Sequence, residues 1–199
     1  MDQIRSICVY CGSSPGRGGN YMSAGAALGR AIARAGLRLV YGGGTRGIMG
    51  AVAAATAEGG GHVTGIIPRF LMNREATESG LGALDELIVT DDMHQRKHTM
   101  FEKSDAFVAL PGGIGTVEEI VEIMTWAQLG HHSKPVVFCN IDGFWDPMVA
   151  LLDHMAAEGF IHTAHLVRPL VVATPEEAVQ AVLSAGRASE GDAAIIGRM

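Results

Sequence analysis

Apolar residues come in short unbroken runs along this chain, and between the runs they recur every three or four positions. The runs "SICVYC", "LRLVY", "HVTGIIP", "DELIVT", "AFVALP", "KPVVFCN" and "PLVVAT" have the length and composition of strands. The periodic stretches predict helices. "YMSAGAALGRAIARAG" has Asn20 as a candidate cap and stops at Gly36. "IMGAVAAATAEGG" follows, then "MHQRKHTMFEKS", opened by Asp91 or Asp92. "IVEIMTWAQL" comes next, then "WDPMVALLDHMAAEG" with Pro147 near its start. A last helix opens at Pro175. Residues 69–83 are irregular and polar, and residues 187–199 are expected to form a flexible tail.

Strands that are apolar throughout have both faces covered, and strands separated by helices run parallel. The expectation is one doubly wound α/β domain over residues 1–186, with helices on both faces of a parallel sheet. At 199 residues the chain supports one sizeable core. There are no internal repeats and no linker.

Composition narrows the function. The formal net charge is −6, and no basic stripe is present, so nucleic acid is not an expected partner. No apolar run is long enough to span a bilayer, and the amino-terminal "MDQIRSICVYCG" lacks the form of a signal peptide. Cys8 and Cys11 make a CxxC, but within a strand residues three apart point to opposite faces. Together with Cys139 they read as scattered thiols of a reducing, cytoplasmic setting.

Ligands of doubly wound folds bind at the carboxyl ends of the strands. That rule brings "CGSSPG", "YGGGTRG", "TDDMHQRK" and "LPGGIGTVEE" to one rim. Gly42, Gly44 and Gly47 fit GxGxxG, but the position about 20 residues on holds Ile67, Pro68 and Arg69 rather than an acid. A dinucleotide is therefore a poor fit. A tight turn or one wall of a mononucleotide site remains.

Gly112 to Thr116 is more informative. Glycines let the backbone approach an anion, and the following helix contributes its positive end. No GxxxxGK[ST] loop exists, so a monophosphate or sugar phosphate is expected rather than ATP. Two acids then occupy the first turn of the helix. At 100° per residue Val117, Ile120, Ile123, Met124 and Ala127 share the core face. Glu118, Glu122 and Thr125 lie opposite, and Glu119 falls near the border. Acidic residues of a helix's first turn stabilise it by about 0.3–1 kcal/mol each, which alone explains one acid. A pair behind a phosphate turn suggests chemistry as well. One carboxylate can hold sugar hydroxyls, and the other can activate water or protonate a leaving group. Cleavage at an anomeric carbon passes through an oxocarbenium-like state that carboxylates stabilise. Arg96 and Lys97 reach the same rim, where arginine can grip phosphate or hydroxyl. His94 and His98 lack a third ligand, His131 and His132 read as surface loop, and Trp126 and Trp145 as packing.

These residues resemble a known family. "PGGIGTVEE" at Pro111–Glu119 is similar to the PGGxGTxxE signature of the Lonely Guy (LOG) phosphoribohydrolases, and "MHQRK" to that family's Arg-Lys segment. "YCGSS", "YGGG" and "TWAQLG" follow the same order. The resemblance covers nearly the whole chain and implies a Rossmann-like homodimer. It implies hydrolysis of cytokinin riboside 5′-monophosphates, and of AMP, to free base and ribose 5-phosphate. No cofactor or metal is called for. Carried over by position, Arg96 and Glu119 are the catalytic pair. Gly112, Gly113, Ile114, Gly115 and Thr116 hold the phosphate, and Lys97 and Glu118 contact ribose or phosphate. Gly12, Ser13, Gly43, Gly44, Val117 and Thr125 join the substrate contacts. Glu75, in "MNREA", matches a glutamate near the ligand, although many members read "MPREL" there. Rival readings are a broad nucleoside monophosphate nucleosidase and a carrier of a phosphorylated cofactor. The lysine decarboxylase label carried by some relatives needs a Schiff-base lysine, and Lys97, Lys103 and Lys134 offer no convincing setting.

Overall fold

The computed structural model describes residues 3–17, 19–161 and 168–196, with side chains except at 78 and 187–196. Seven parallel strands form one sheet: β1 (Ser6–Tyr10), β2 (Arg38–Tyr41), β3 (Val63–Pro68), β4 (Glu86–Thr90), β5 (Ala106–Ala109), β6 (Val136–Cys139) and β7 (Leu170–Val172). Their order across the sheet is β4-β3-β2-β1-β5-β6-β7. The expected doubly wound α/β fold is what forms.

Alternation along the strands divides the core. Ile7, Val9, Leu39 and Tyr41 face one side, against α1 (Asn20–Arg34), α2 (Gly47–Glu58) and α8 (Pro175–Ile196). Cys8, Tyr10, Val40 and Phe107 face the other, against α5 (Met93–Glu102), α6 (Ile114–Gln128) and α7 (Asp146–Ala157). Cys8 and Cys11 thus lie on opposite faces and are free thiols, as strand geometry requires. The unbroken apolar runs promise full burial, and the central strands have it. Both edge strands expose apolar residues, Leu87 and Val89 on β4, Leu170 and Val171 on β7, because each has only one neighbour.

Local chemistry explains the start of α5 but not that of α1. Asp92 caps α5 by accepting from the Gln95 N–H at 2.8 Å. Asn20 does not cap α1; it is the first helical residue, and its amide donates to Asp142 instead. Residues 69–83 are less irregular than expected. A 3₁₀ turn at Arg69–Leu71 leads into two single-turn helices, α3 (Met72–Glu75) and α4 (Glu78–Leu81). Of the tail expected from Arg187, residues 187–196 continue α8, and 197–199 lie outside the described residues.

The topology positions the site. From β1 the chain steps outward through β2, β3 and β4, then returns to the other flank at β5. The loops leaving β1 and β5 diverge and open a crevice at the carboxyl ends of the sheet, where such folds bind ligands.

Candidate active site

The crevice is a cleft of about 280 Å³, lined by residues that include Ser13, Arg96, Gly113, Thr116, Glu118 and Glu119. Its floor is glycine. The Gly12 N–H donates to the Pro111 carbonyl at 3.1 Å, joining the β1 and β5 loops. A Cβ on Gly112 would lie 2.1 Å from the Thr116 hydroxyl oxygen, so only glycine lets the turn pack beneath the helix start. Gly47 has φ +57°, and a Cβ there would meet the Ser13 carbonyl at 2.4 Å. The first turn of α6 therefore opens onto the cleft behind Gly113, with no side chain capping it. Its free N–H groups and positive end suit an anion.

Arg96 crosses to meet Glu119. Arg96 is 5% exposed, and Glu119 9%. Arg96 Nε donates to the Ile66 carbonyl and Nη2 to the Gly42 carbonyl, each at 3.2 Å. Nη1 stands 3.7 Å from Glu119 Oε1. Burial pushes the Glu119 carboxyl up to about 7; Arg96 opposes that shift, while the charges of Glu118 and Glu75 add to it. Periodicity put Glu119 at the border of the helix face, and the structure buries it. Its neighbour Glu118 points outward and accepts from Lys97 Nζ at 2.5 Å, and Glu122 accepts from the same ammonium at 3.0 Å. Burial alone lowers the Lys97 pKa, but the two carboxylates outweigh it and leave it raised. Glu75 sits across the cleft with Oε2 buried and without a protein hydrogen-bond partner.

Several expected site residues line the cleft directly: Gly12, Ser13, Glu75, Arg96, Gly113, Gly115, Thr116, Glu118 and Glu119. Others stand behind or beside it. Gly112 underlies Thr116, Gly43 packs on Ile67, and Gly44 backs Met49 and the Glu75 carbonyl. Lys97 holds Glu118, Val117 packs into the core, and Ile114 projects into solvent. Thr125 is exposed on the far half of α6, donating to the Val121 carbonyl. Sequence reasoning missed the apolar wall of Cys11, Met49, Leu71 and Met93. Met93 was in view within "MHQRK", but no spacing marks a methionine as a wall, and Leu71 lay in the stretch read as irregular. His132 lies in a loop, as expected, but is tied down there: its Nε2 donates to the Ile123 carbonyl while Nδ1 accepts from the Lys134 N–H. The two tryptophans do pack, Trp145 donating from Nε1 to the Ala109 carbonyl.

A larger groove of about 1190 Å³ runs along the opposite edge of the sheet, past Arg5, Arg38, His62 and Asp105. It lies at the amino ends of the strands, away from the crevice, and Asp105 is already engaged there by Ser6 and the Arg5 N–H.

Comparison with known proteins gives the family. A cytokinin riboside 5′-monophosphate phosphoribohydrolase of Rhodococcoides fascians is 47% identical over 181 residues, covering 90% of each chain. The rice enzyme of that name, LOG, is 47% identical over 173 residues, 87% of this chain and 69% of its own. The chain belongs to the LOG family. Residues 49–182 also match the family described as possible lysine decarboxylase. Among solved structures, the protein TM1055 superposes on this LOG-family chain with a TM-score of 0.69 at 27% identity, over 89% of this chain and 97% of that one. The molybdenum cofactor binding protein of Rippkaea orientalis, at 22% identity and a TM-score of 0.65, shares the fold over 92% of this chain and 98% of its own. Among the described residues, no helix is long and apolar enough to cross a membrane.

Proposed function

We propose that this chain hydrolyses the N-glycosidic bond of cytokinin riboside 5′-monophosphates, and of AMP, to free base and D-ribose 5-phosphate. The observation that carries the reading is the buried Arg96–Glu119 pair beside an open helix terminus in one cleft. The α6 terminus, with Gly113, Gly115 and Thr116, takes the 5′-phosphate. Glu118, held by Lys97, accepts from ribose hydroxyls, and the unpartnered Glu75 oxygen accepts another. The base leans on Met49, Leu71 and Met93. Glu119, neutral below about 7, delivers its proton to the departing base. The C1′–N bond breaks, the base leaves with that proton, and water adds its oxygen to C1′. The proton released by water restores Glu119. Arg96 steadies the Glu119 carboxylate once it has given up the proton.

No lysine is set for decarboxylase chemistry. Lys97 is held by two glutamates, and Lys103 pairs with Glu86. Lys134 precedes β6, at the edge of the sheet away from the crevice, and donates to the Phe101 carbonyl. The further expectations are a cytoplasmic homodimer. Three buried, unpaired thiols support the compartment, and the exposed apolar face of α6 supports the dimer.

The test is product release, followed by chromatography, from isopentenyladenosine 5′-monophosphate, AMP, the free riboside and ATP. Base and ribose 5-phosphate are expected from the monophosphates alone. Glu119→Gln is expected to lose about 10²–10⁴ in kcat while keeping its fold. The rate ratio between the two monophosphates separates cytokinin activation from general salvage. Tight nucleotide binding with no release would favour a carrier instead.

A further inference from the structure

Arg96 reaches the cleft on a long side chain from the first turn of α5, yet its guanidinium is tightly seated. Two of its N–H groups end on backbone carbonyls of neighbouring strand segments, Nη2 on Gly42 just after β2 and Nε on Ile66 within β3. The Nη2 tip of the group points at the bare α-carbon of Gly42. A Cβ at that position would lie 2.0 Å from Nη2, 3.1 Å from Cζ and 3.6 Å from Nε, where ordinary contact begins near 3.4 Å. The remaining edge, bearing Nη1, faces Glu119 Oε1 at 3.7 Å and donates to the Met93 sulfur at 3.8 Å.

We propose that Gly42 is a positioning residue: its missing side chain and its carbonyl, together with the Ile66 carbonyl, form the seat that aims Arg96 at Glu119 and the cleft. The inference rests on the role given to Arg96 above. It separates the first glycine of "YGGG" from the second. Gly43 needs glycine for its backbone, at φ +74°, whereas Gly42 has no such φ and needs it only for space. The clash is with the tip of a flexible side chain. Alanine is therefore accommodated by moving the guanidinium, not the strand, and the displacement exceeds 1 Å on these distances. A misplacement of that size in a reacting constellation costs on the order of 10²-fold in rate.

The experiment is a double-mutant cycle on the full chain, using Gly42→Ala, Arg96→Ala and the pair. Melting temperature, kcat and KM with isopentenyladenosine 5′-monophosphate are the readouts, with the Arg96 Nε–H resonance alongside. Gly42→Ala alone is expected to lower kcat about 10²-fold, to change KM far less, and to move the Nε–H resonance. In the Arg96→Ala background it should change kcat less than twofold, because the obstructed group is gone. If Gly42→Ala destabilises the fold, the pair should melt no lower than Arg96→Ala alone, since the methyl then fills vacated space. Wild-type turnover in Gly42→Ala with an unmoved resonance overturns the proposal. So does a loss that persists on top of Arg96→Ala. A wild-type protein that releases no base refutes the reaction, while the resonance and the melting temperatures still decide the seat.

Discussion

Glu119 carries two opposed demands. Its carboxyl is buried beside Arg96, and burial favours the neutral form strongly enough to hold the pKa near 7. Folding therefore prefers the protonated acid. The associated stability is complete below the ordinary carboxyl value of 4.5 and is lost as pH rises through about 7. The span corresponds to about 3 kcal/mol. The melting temperature of the wild type should fall between pH 5 and pH 8, and Glu119→Gln should flatten that slope. A wild-type slope as flat as the variant's would mean that Glu119 is ionised throughout. The same proton gives the activity its direction. As donor to the leaving base, Glu119 supports a kcat that declines above about pH 7; a kcat that climbs through that range would instead assign it to activating water.

The helices α5 and α6 are tied together by one cation. Glu118 and Glu122 stand one turn apart on α6, a like-charged spacing that destabilises a helix by itself. Lys97 of α5 lies between them and satisfies both. Lys97→Met keeps the length of the side chain and removes the charge. Because Glu118 is half exposed, solvent screens part of the loss, and about 1–2 kcal/mol is expected from urea unfolding. Adding Glu122→Gln should recover part of it by relieving the repulsion. An unchanged midpoint in Lys97→Met would make the cluster a surface feature only. This element scale is also where sequence was most and least legible. The strands, their parallel arrangement and the four rim segments follow from unbroken apolar runs and glycine turns, because burial on two faces leaves a local signature. Glu122 as a partner of Lys97 left none: on α6 alone it is a solvent-facing acid, and its meaning comes from a helix 25 residues earlier. Leu71 and Met49 were invisible for the same reason. An apolar residue that lines a cleft looks, in sequence, like one that fills a core.

At the scale of the whole molecule, α6 has a face that the described residues leave exposed. Ile114 is 86% exposed, Val121 38% and Leu129 68%, and their spacing puts them on one stripe of the helix. Thr125 is exposed along the same stripe, nine residues beyond Thr116 and so roughly 13 Å down the axis. It lies outside the cleft of its own chain, although the family resemblance makes it a substrate contact. On the proposed dimer, a second copy packed along α6 would reconcile the two, covering Ile114, Val121 and Leu129 and carrying Thr125 toward the neighbouring site. Light scattering should then give about twice the 20.9 kDa of one chain for the wild type, and the single mass for Leu129→Glu, which sets carboxylates into the covered stripe. A wild type that is monomeric at tens of micromolar ends the dimer reading. Turnover of the monomeric variant settles the rest. Activity lost with an intact melting temperature means that each site needs its partner, whereas full activity means that the cleft described here is complete within one chain and Thr125 serves only the helix that bears it.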